Sequence, residues 1–293
     1  MNPQQPAPTC FRHPDRPTGL GCTRCGRPAC PECLTPAAVG QHCVECVQQG
    51  RRDVRPVRSM TGAVQSAAGK PYVTWTLIGL NVLVFAITAI QARNPVQNTA
   101  SQLFVDWRLI PALVGEGEWW RVVGSGFLHY GPLHLLANMF ALYVLGPYCE
   151  AALGRARYVS VYLVSLLGGS AAVTLLGNPA VATVGASGAI FGLFGAVAVI
   201  MLRTRQNLTQ ILMLLVLNLI ITFAVPGISM LGHLGGLFAG TLAAGGILYL
   251  PRWLKAKTPQ AAMTIGWVSV AALAVISIAA IAVGAPDFTD LLN

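Results

Sequence analysis

Charge is what this sequence has least of. Asp, Glu, Lys and Arg make up 10% of its 293 residues, against roughly a quarter in an ordinary soluble domain. A wholly water-exposed globule is therefore excluded. The shortage is local as well as general: no charged residue occurs in 71–92, 122–149, 158–202, 206–251 or 258–286. Acidic residues are scarcer than basic ones, and the charge-free stretches are met by them only at their ends, as by Glu150 at an inner edge. That removes the carboxylates a proton relay or a cation-coupled transporter needs within the membrane. It also removes any Asp that would orient a catalytic histidine there.

What fills the gaps is apolar. Hydrophobic residues make up 54% of the chain, and the mean hydropathy is +0.61. A spanning helix needs about 20 apolar residues, so the two longest stretches hold two spans each, broken by "GNP" at 177–179 and "VPG" at 225–227. The expected fold is an all-α polytopic bundle in a lipid bilayer. Its seven helices are expected at about 73–90, 133–149, 158–176, 186–202, 208–225, 230–250 and 263–283. Residues 1–60 are polar and Cys-rich and do not read as a cleavable signal peptide.

Basic residues set the expected orientation. Arg12, Arg16, Arg24, Arg27, Arg51, Arg52, Arg55, Arg58 and Lys70 precede the first span. Placing them in the cytoplasm also puts Arg155, Arg157, Arg203, Arg205, Arg252, Lys255 and Lys257 inside. The reading is N-terminus in and C-terminus out, in the plasma (inner) membrane. The net charge of +9 is then a topology signal. Nucleic acid is not an expected partner, because the basic residues are spread over several inner loops.

Ahead of the spans, 10–46 reads "CFRHPDRPTGLGCTRCGRPACPECLTPAAVGQHCVEC". It contains four pairs with two-residue gaps: Cys10/His13, Cys22/Cys25, Cys30/Cys33 and Cys43/Cys46. That spacing lets two side chains grip one tetrahedral zinc from a tight turn. Eight ligands make two structural sites, and so short a segment would draw most of its folding energy from the metal. Interleaved pairing is expected, first pair with third and second with fourth, similar to a B-box or cross-brace finger. His42, beside Cys43, is an alternative ligand that the sequence leaves open. Disulfides are disfavoured by a cytoplasmic location. Residues 51–71, with "RRDVRPVRSM", read as a flexible basic linker near the inner leaflet.

Ionisable groups within a membrane are functional candidates by default. His129 and His134 lie in "FLHYGPLHLLANMF" and His233 in "SMLGHLGGLFAG". Any one of them taken alone reads equally well as a packing residue. With the expected topology, however, His134, Asn138, Ser187 and His233 all sit in the first turns of helices entering from the outer face. At 1.5 Å rise per residue they share a layer roughly 10 Å deep. Gly188 and Gly192, with Gly232, Gly236 and Gly240, form four-residue ladders that let helices approach closely. Ser187 and His233 then come within reach as nucleophile and base. No third member is visible, so a Ser–His dyad is the reading. His134 and Asn138, four apart on one helical face, suit an oxyanion. Cys149 reads as a small packing residue.

"GASG" at 185–188, "HLLAN" at 134–138, "GHLGG" at 232–236 and "WWR" at 119–121 together resemble the rhomboid intramembrane serine proteases. The resemblance covers about 72–250. It implies Ser187 as nucleophile, His233 as general base, and His134, Asn138 and the Ser187 N–H as the oxyanion hole. The implied substrates are transmembrane segments of other proteins, cleaved near the membrane surface without metal or nucleotide. Residues 93–130 would form a partly embedded loop supported by Trp120 and Arg121, and 226–229 a cap over the site. Some members carry a tyrosine four residues after the serine. Here Phe191 stands there, so ring packing is expected to survive and activity with it.

The expected organisation is therefore a cytoplasmic zinc-binding domain at 1–50, the linker at 51–71, a six-helix protease core at 72–250, and an additional helix and tail at 251–293 that is peripheral to catalysis. The zinc segment is a candidate docking module for a cytoplasmic adaptor. The competing reading is a rhomboid-like, non-catalytic protein that binds membrane clients. Such relatives typically lack the Ser or the His, and both stand here.

Overall fold

The structure, a computed structural model of the whole chain, describes residues 7–53, 59–60, 70–225 and 227–285. It divides into two compact units, separated between Pro56 and Val57. Most of the basic linker expected at 51–71 lies outside the described residues, as does the tail from 286 onward.

The first unit is small. Strands β1 (Thr9–Cys10) and β2 (His13–Pro17) form one antiparallel pair, and β3 (Leu34–Pro36) and β4 (Gln41–Cys43) another. Helix α1 (Val44–Asp53) follows directly, so 51–53 continue a helix where the linker was expected to begin. The buried apolar side chains here are almost all cysteines, with Ala29 among them. Such a core supplies little hydrophobic stabilisation by itself.

The second unit is helical. Helix α2 (Tyr72–Ala92) is followed by three short helices, α3 (Gln102–Trp107), α4 (Pro111–Gly115) and α5 (Trp120–Gly124). Then come α6 (Gly131–Leu153), α7 (Arg155–Leu176), α8 (Ser187–Thr204), α9 (Thr209–Ala224) and α10 (Met230–Leu248). A single turn, α11 (Leu250–Trp253), leads to α12 (Pro259–Gly284). All seven expected helices are present. Six are long and apolar enough to cross a membrane, and the protein is an integral membrane protein. The seventh, α9, has 16 residues; at 1.5 Å per residue it covers about 24 Å, short of a hydrocarbon core of about 30 Å.

Local chemistry sets the helix ends. Gly154, at φ 81°, separates α6 from α7. Ser229 caps α10 by accepting from Gly232 N at 3.1 Å, and Thr258 caps α12 by accepting from Ala261 N at 3.1 Å. Helix α2 starts after Pro71 without a side-chain cap of its own. Its cap comes from α6, where Glu150 accepts from Val73 N at 3.1 Å, Thr74 N at 2.9 Å and Thr74 Oγ1 at 3.0 Å. The carboxylate satisfies donors that a helix start would otherwise leave orphaned.

Helix α8 runs through the middle of the unit, with every residue from Ala189 to Val197 buried. It meets α10 at glycine: a Cβ on Gly236 would overlap the Gly188 backbone, and one on Gly240 the Gly192 backbone. Helix α7 joins the same contact, with Gly169 facing Gly232 O and Gly168 facing Gly235 O. Small residues are what allow this approach, since lipid supplies no hydrophobic drive between helices. Helix α12 packs on α7 and α10, where the Arg157 guanidinium lies 5.6 Å from the Trp267 ring. Helix α9 buries only Ile211 and Thr222.

Candidate active site

Gly185 sits at φ +125°, a conformation side-chain-bearing residues rarely adopt. That turn delivers Ser187 to the first position of α8, where helix N–H groups have no intrahelical acceptor. The Ser229 cap fixes the start of α10, so His233 falls in its first turn. The glycine contact between the two helices then brings Ser187 Oγ and His233 Nε2 to 2.7 Å. On the other side of the ring, His233 Nδ1 lies 2.8 Å from Thr222 Oγ1 of α9. Phe191 stacks on the imidazole at 4.1 Å and 15°, the ring packing expected of it. His233 is buried.

The serine has a second imidazole nearby. A Cβ on Gly185 would stand 3.0 Å from His134 Nε2 and 3.4 Å from Ser187 Oγ, so the glycine keeps open the space these two atoms share. Tyr130 N donates to His134 Nδ1 at 3.1 Å. An accepting Nδ1 requires the proton on Nε2 in a neutral ring, and that N–H is on the side facing Gly185. Asn138 is buried one turn further along α6 and donates one amide hydrogen to His134 O at 2.9 Å. His129 is fully buried, its ring edge-on to His134 at 5.0 Å. Its carbonyl is held by Asn98 Nδ2 at 2.9 Å, which ties the loop after α2 to the start of α6. A cavity of about 30 Å³ adjoins this pair, lined by Ser125, Ser170, Ser187, Ser229 and His233 among others. It has room for one water-sized group.

A family model described as the rhomboid domain matches residues 116–250, a range that contains Ser187, His233, His134 and Asn138. YdcA of Bacillus subtilis is 37% identical over 134 residues, covering 44% of this chain and 67% of that protein. The chain belongs to the rhomboid family. The rhomboid protease GluP of the same organism is 34% identical over 184 residues, 61% of this chain but 35% of GluP. The rhomboid protease AarA of Providencia stuartii is 26% identical over 226 residues, 67% of this chain and 80% of AarA. The chain thus spans about a third to four fifths of these relatives.

In this rhomboid, the loop at 93–130 is organised from within. Arg121 donates to Val105 O at 2.8 Å and to Arg108 O at 3.0 Å, and pairs with Glu118. Trp120 Nε1 donates to Asp106 O at 3.0 Å. Both residues tie α5 to α3, in keeping with the supporting role the resemblance implied. Thr222 was not among the expected site residues. Its sequence signal is slight: one hydroxyl near the end of an apolar helix, eleven residues before His233.

In the first unit, Cys10, His13, Cys30 and Cys33 form one group and Cys22, Cys25, Cys43 and Cys46 another, with the ligand atoms of each within 4.8 Å of one another. This is the interleaved pairing. His42 belongs to neither group; it neighbours Cys43 on β4, and successive strand residues point to opposite faces. His13 Nδ1 lies 3.5 Å from the sulfurs of Cys30 and Cys33 and 3.8 Å from that of Cys10, while Cys25 and Cys43 sulfurs are 3.8 Å apart. Tetrahedral zinc with Zn–S near 2.3 Å and Zn–N near 2.0 Å requires ligand separations of about 3.5–3.8 Å. Burial opposes ionisation of Cys10 and Cys22, but backbone N–H groups around each sulfur prevail and bring both down to about 6. Burial and neighbouring thiols push Cys33 up to about 11 and Cys46 to about 12. Both groups can hold a metal ion.

Proposed function

We propose that this protein is an intramembrane serine endopeptidase that hydrolyses peptide bonds in or near transmembrane segments of other membrane proteins, with 72–250 as its protease core. The observation that carries the reading is the 2.7 Å contact between Ser187 Oγ and His233 Nε2, a nucleophile and base within hydrogen-bond distance. His233 takes the hydroxyl proton as Oγ attacks the carbonyl carbon. The carbonyl oxygen becomes an anion, met by the Nε2–H of His134, the Ser187 N–H at the head of α8, and the free amide hydrogen of Asn138. Collapse expels the amine, which leaves with the proton from His233. Water then attacks the acyl-serine with His233 as base and restores Ser187.

The zinc segment completes the proposal. Each Cys/His group would hold one zinc ion as a closed structural site, about two per chain, with no ligand left for catalysis. The distribution of basic residues supports an N-terminus in the cytoplasm, a C-terminus outside and residence in the plasma membrane. Docking of a cytoplasmic adaptor is assigned to the head because it is a separate compact unit that supplies no residue to the dyad.

A fluorophosphonate probe on the purified protein in detergent tests the chemistry. Labelling is expected in the natural sequence and absent from Ser187→Ala and His233→Ala. Undiminished labelling of Ser187→Ala would overturn the dyad, and no labelling of a folded natural protein beside a labelled control protease would favour the client-binding reading.

A further inference from the structure

We propose that Thr222 is the third, positioning member of this site, through which helix α9 holds His233 in the one neutral tautomer that can take a proton from Ser187. The proposal rests on the dyad reading above. It follows from counting hydrogens. Thr222 Oγ1 lies 2.8 Å from Asn218 O; a carbonyl only accepts, so this bond uses the hydroxyl's single hydrogen. Toward His233 Nδ1, 2.8 Å away, Oγ1 can then only accept. Nδ1 must carry the ring proton, which leaves the lone pair of Nε2 facing Ser187 Oγ at 2.7 Å. The order runs one way: Ser187 O–H to Nε2, Nδ1–H to Thr222, Thr222 O–H to Asn218 C=O.

A carboxylate usually does this work, fixing both ring orientation and tautomer. None occurs on α8, α9 or α10. A neutral hydroxyl makes the same bond, and the Nδ1–H bond persists when Nε2 becomes protonated. No proton passes to Thr222.

The placement of Thr222 is independent support. Its neighbours Ile221 and Phe223 are 44% and 66% exposed, whereas Thr222 is 5% exposed. On a helix that otherwise turns outward near this end, the buried side chain is the one that touches the catalytic imidazole. Because α9 buries so little else, the order of the dyad depends on where that helix sits.

The test uses the full chain in detergent with Thr222→Val, which keeps the shape and removes the hydroxyl, and Thr222→Ser, which keeps the hydroxyl. Three quantities are measured: the rate of fluorophosphonate labelling, kcat and KM on a reporter transmembrane substrate, and the imidazole nitrogen chemical shifts of His233. In the natural protein the shifts should report a protonated Nδ1. Thr222→Val should lower labelling and kcat about tenfold to hundredfold, the range for a buried donor left unpaired, with KM little changed. Thr222→Ser should restore both. Equal rates for Thr222→Val and the natural protein, no rescue by Thr222→Ser, or a protonated Nε2 in the natural protein would each overturn the proposal. The last requires no variant to fold. Labelling that persists in Ser187→Ala would instead overturn the dyad, and this proposal with it.

Discussion

Replacing Gly236 with alanine tests whether the glycine contact between α8 and α10 builds the dyad or merely packs the bundle. A Cβ at Gly236 would lie 2.6 Å from Gly188 C and 3.0 Å from Gly188 Cα, and still closer to Gly188 O, where ordinary contact begins near 3.4 Å. The obstructing atoms are backbone, so no side chain can rotate away. The helices must part by roughly 1 Å, at a cost of about 1–3 kcal/mol for overpacking, against about 1 kcal/mol gained from alanine's better helix propensity. Stability should fall by no more than about 2 kcal/mol. Activity should fall much further, because Gly188 follows Ser187 and Gly236 is one turn from His233. Opening the 2.7 Å contact by that much breaks the hydrogen bond, and such a displacement costs about a hundredfold in rate. Gly245→Ala, on the same helix, is the control, since a Cβ there meets no neighbouring element within 4 Å. Thermal unfolding and reporter cleavage are measured side by side. If Gly236→Ala cleaves as fast as Gly245→Ala, the argument that this contact sets the dyad geometry fails.

Two further outcomes are expected. Metal analysis of the purified chain should give about two zinc ions; Cys22→Ala with Cys25→Ala should lose one of them while the other remains, and equal zinc content in this variant would refute the assigned grouping. Glu150→Ala should lower stability by about 3 kcal/mol, because three donors at the start of α2 lose a charged acceptor. The protein that remains folded should keep its kcat, and an unchanged unfolding midpoint would show that the cap contributes nothing.

The bundle was legible because lipid enforces a simple rule: charge-free stretches of sufficient length become helices. The spans expected at 186–202 and 230–250 appear as Ser187–Thr204 and Met230–Leu248. Helices α3 to α5 were not legible, being five or six residues each, too short for a periodic pattern to emerge. The paired Cys and His residues could be read from their gaps, but the sequence left His42 open; the fold leaves it outside both groups. Thr222 was hidden by its own ordinary behaviour. A threonine in an apolar helix normally bonds back to the carbonyl four residues earlier, and Thr222 does that as well. Only the fold reveals that the remaining lone pairs of the same oxygen meet an imidazole. Glu150 was read only for what it excluded, and its role as a cap depends on a helix distant in sequence.

The side chains gathered at the candidate site come from four helices: Ser187 from α8, His233 from α10, Thr222 from α9 and His134 from α6. Helices in a bilayer can form individually before they dock, so a spectroscopic measure of helix content would be nearly blind to whether docking has finished. On the proposed mechanism the reactivity of Ser187 is not, because no single helix contains both Ser187 and His233. A covalent label on that serine therefore counts assembled molecules one by one. It can rank detergents, lipid mixtures and variants by the fraction of chains in which the last step of folding is complete.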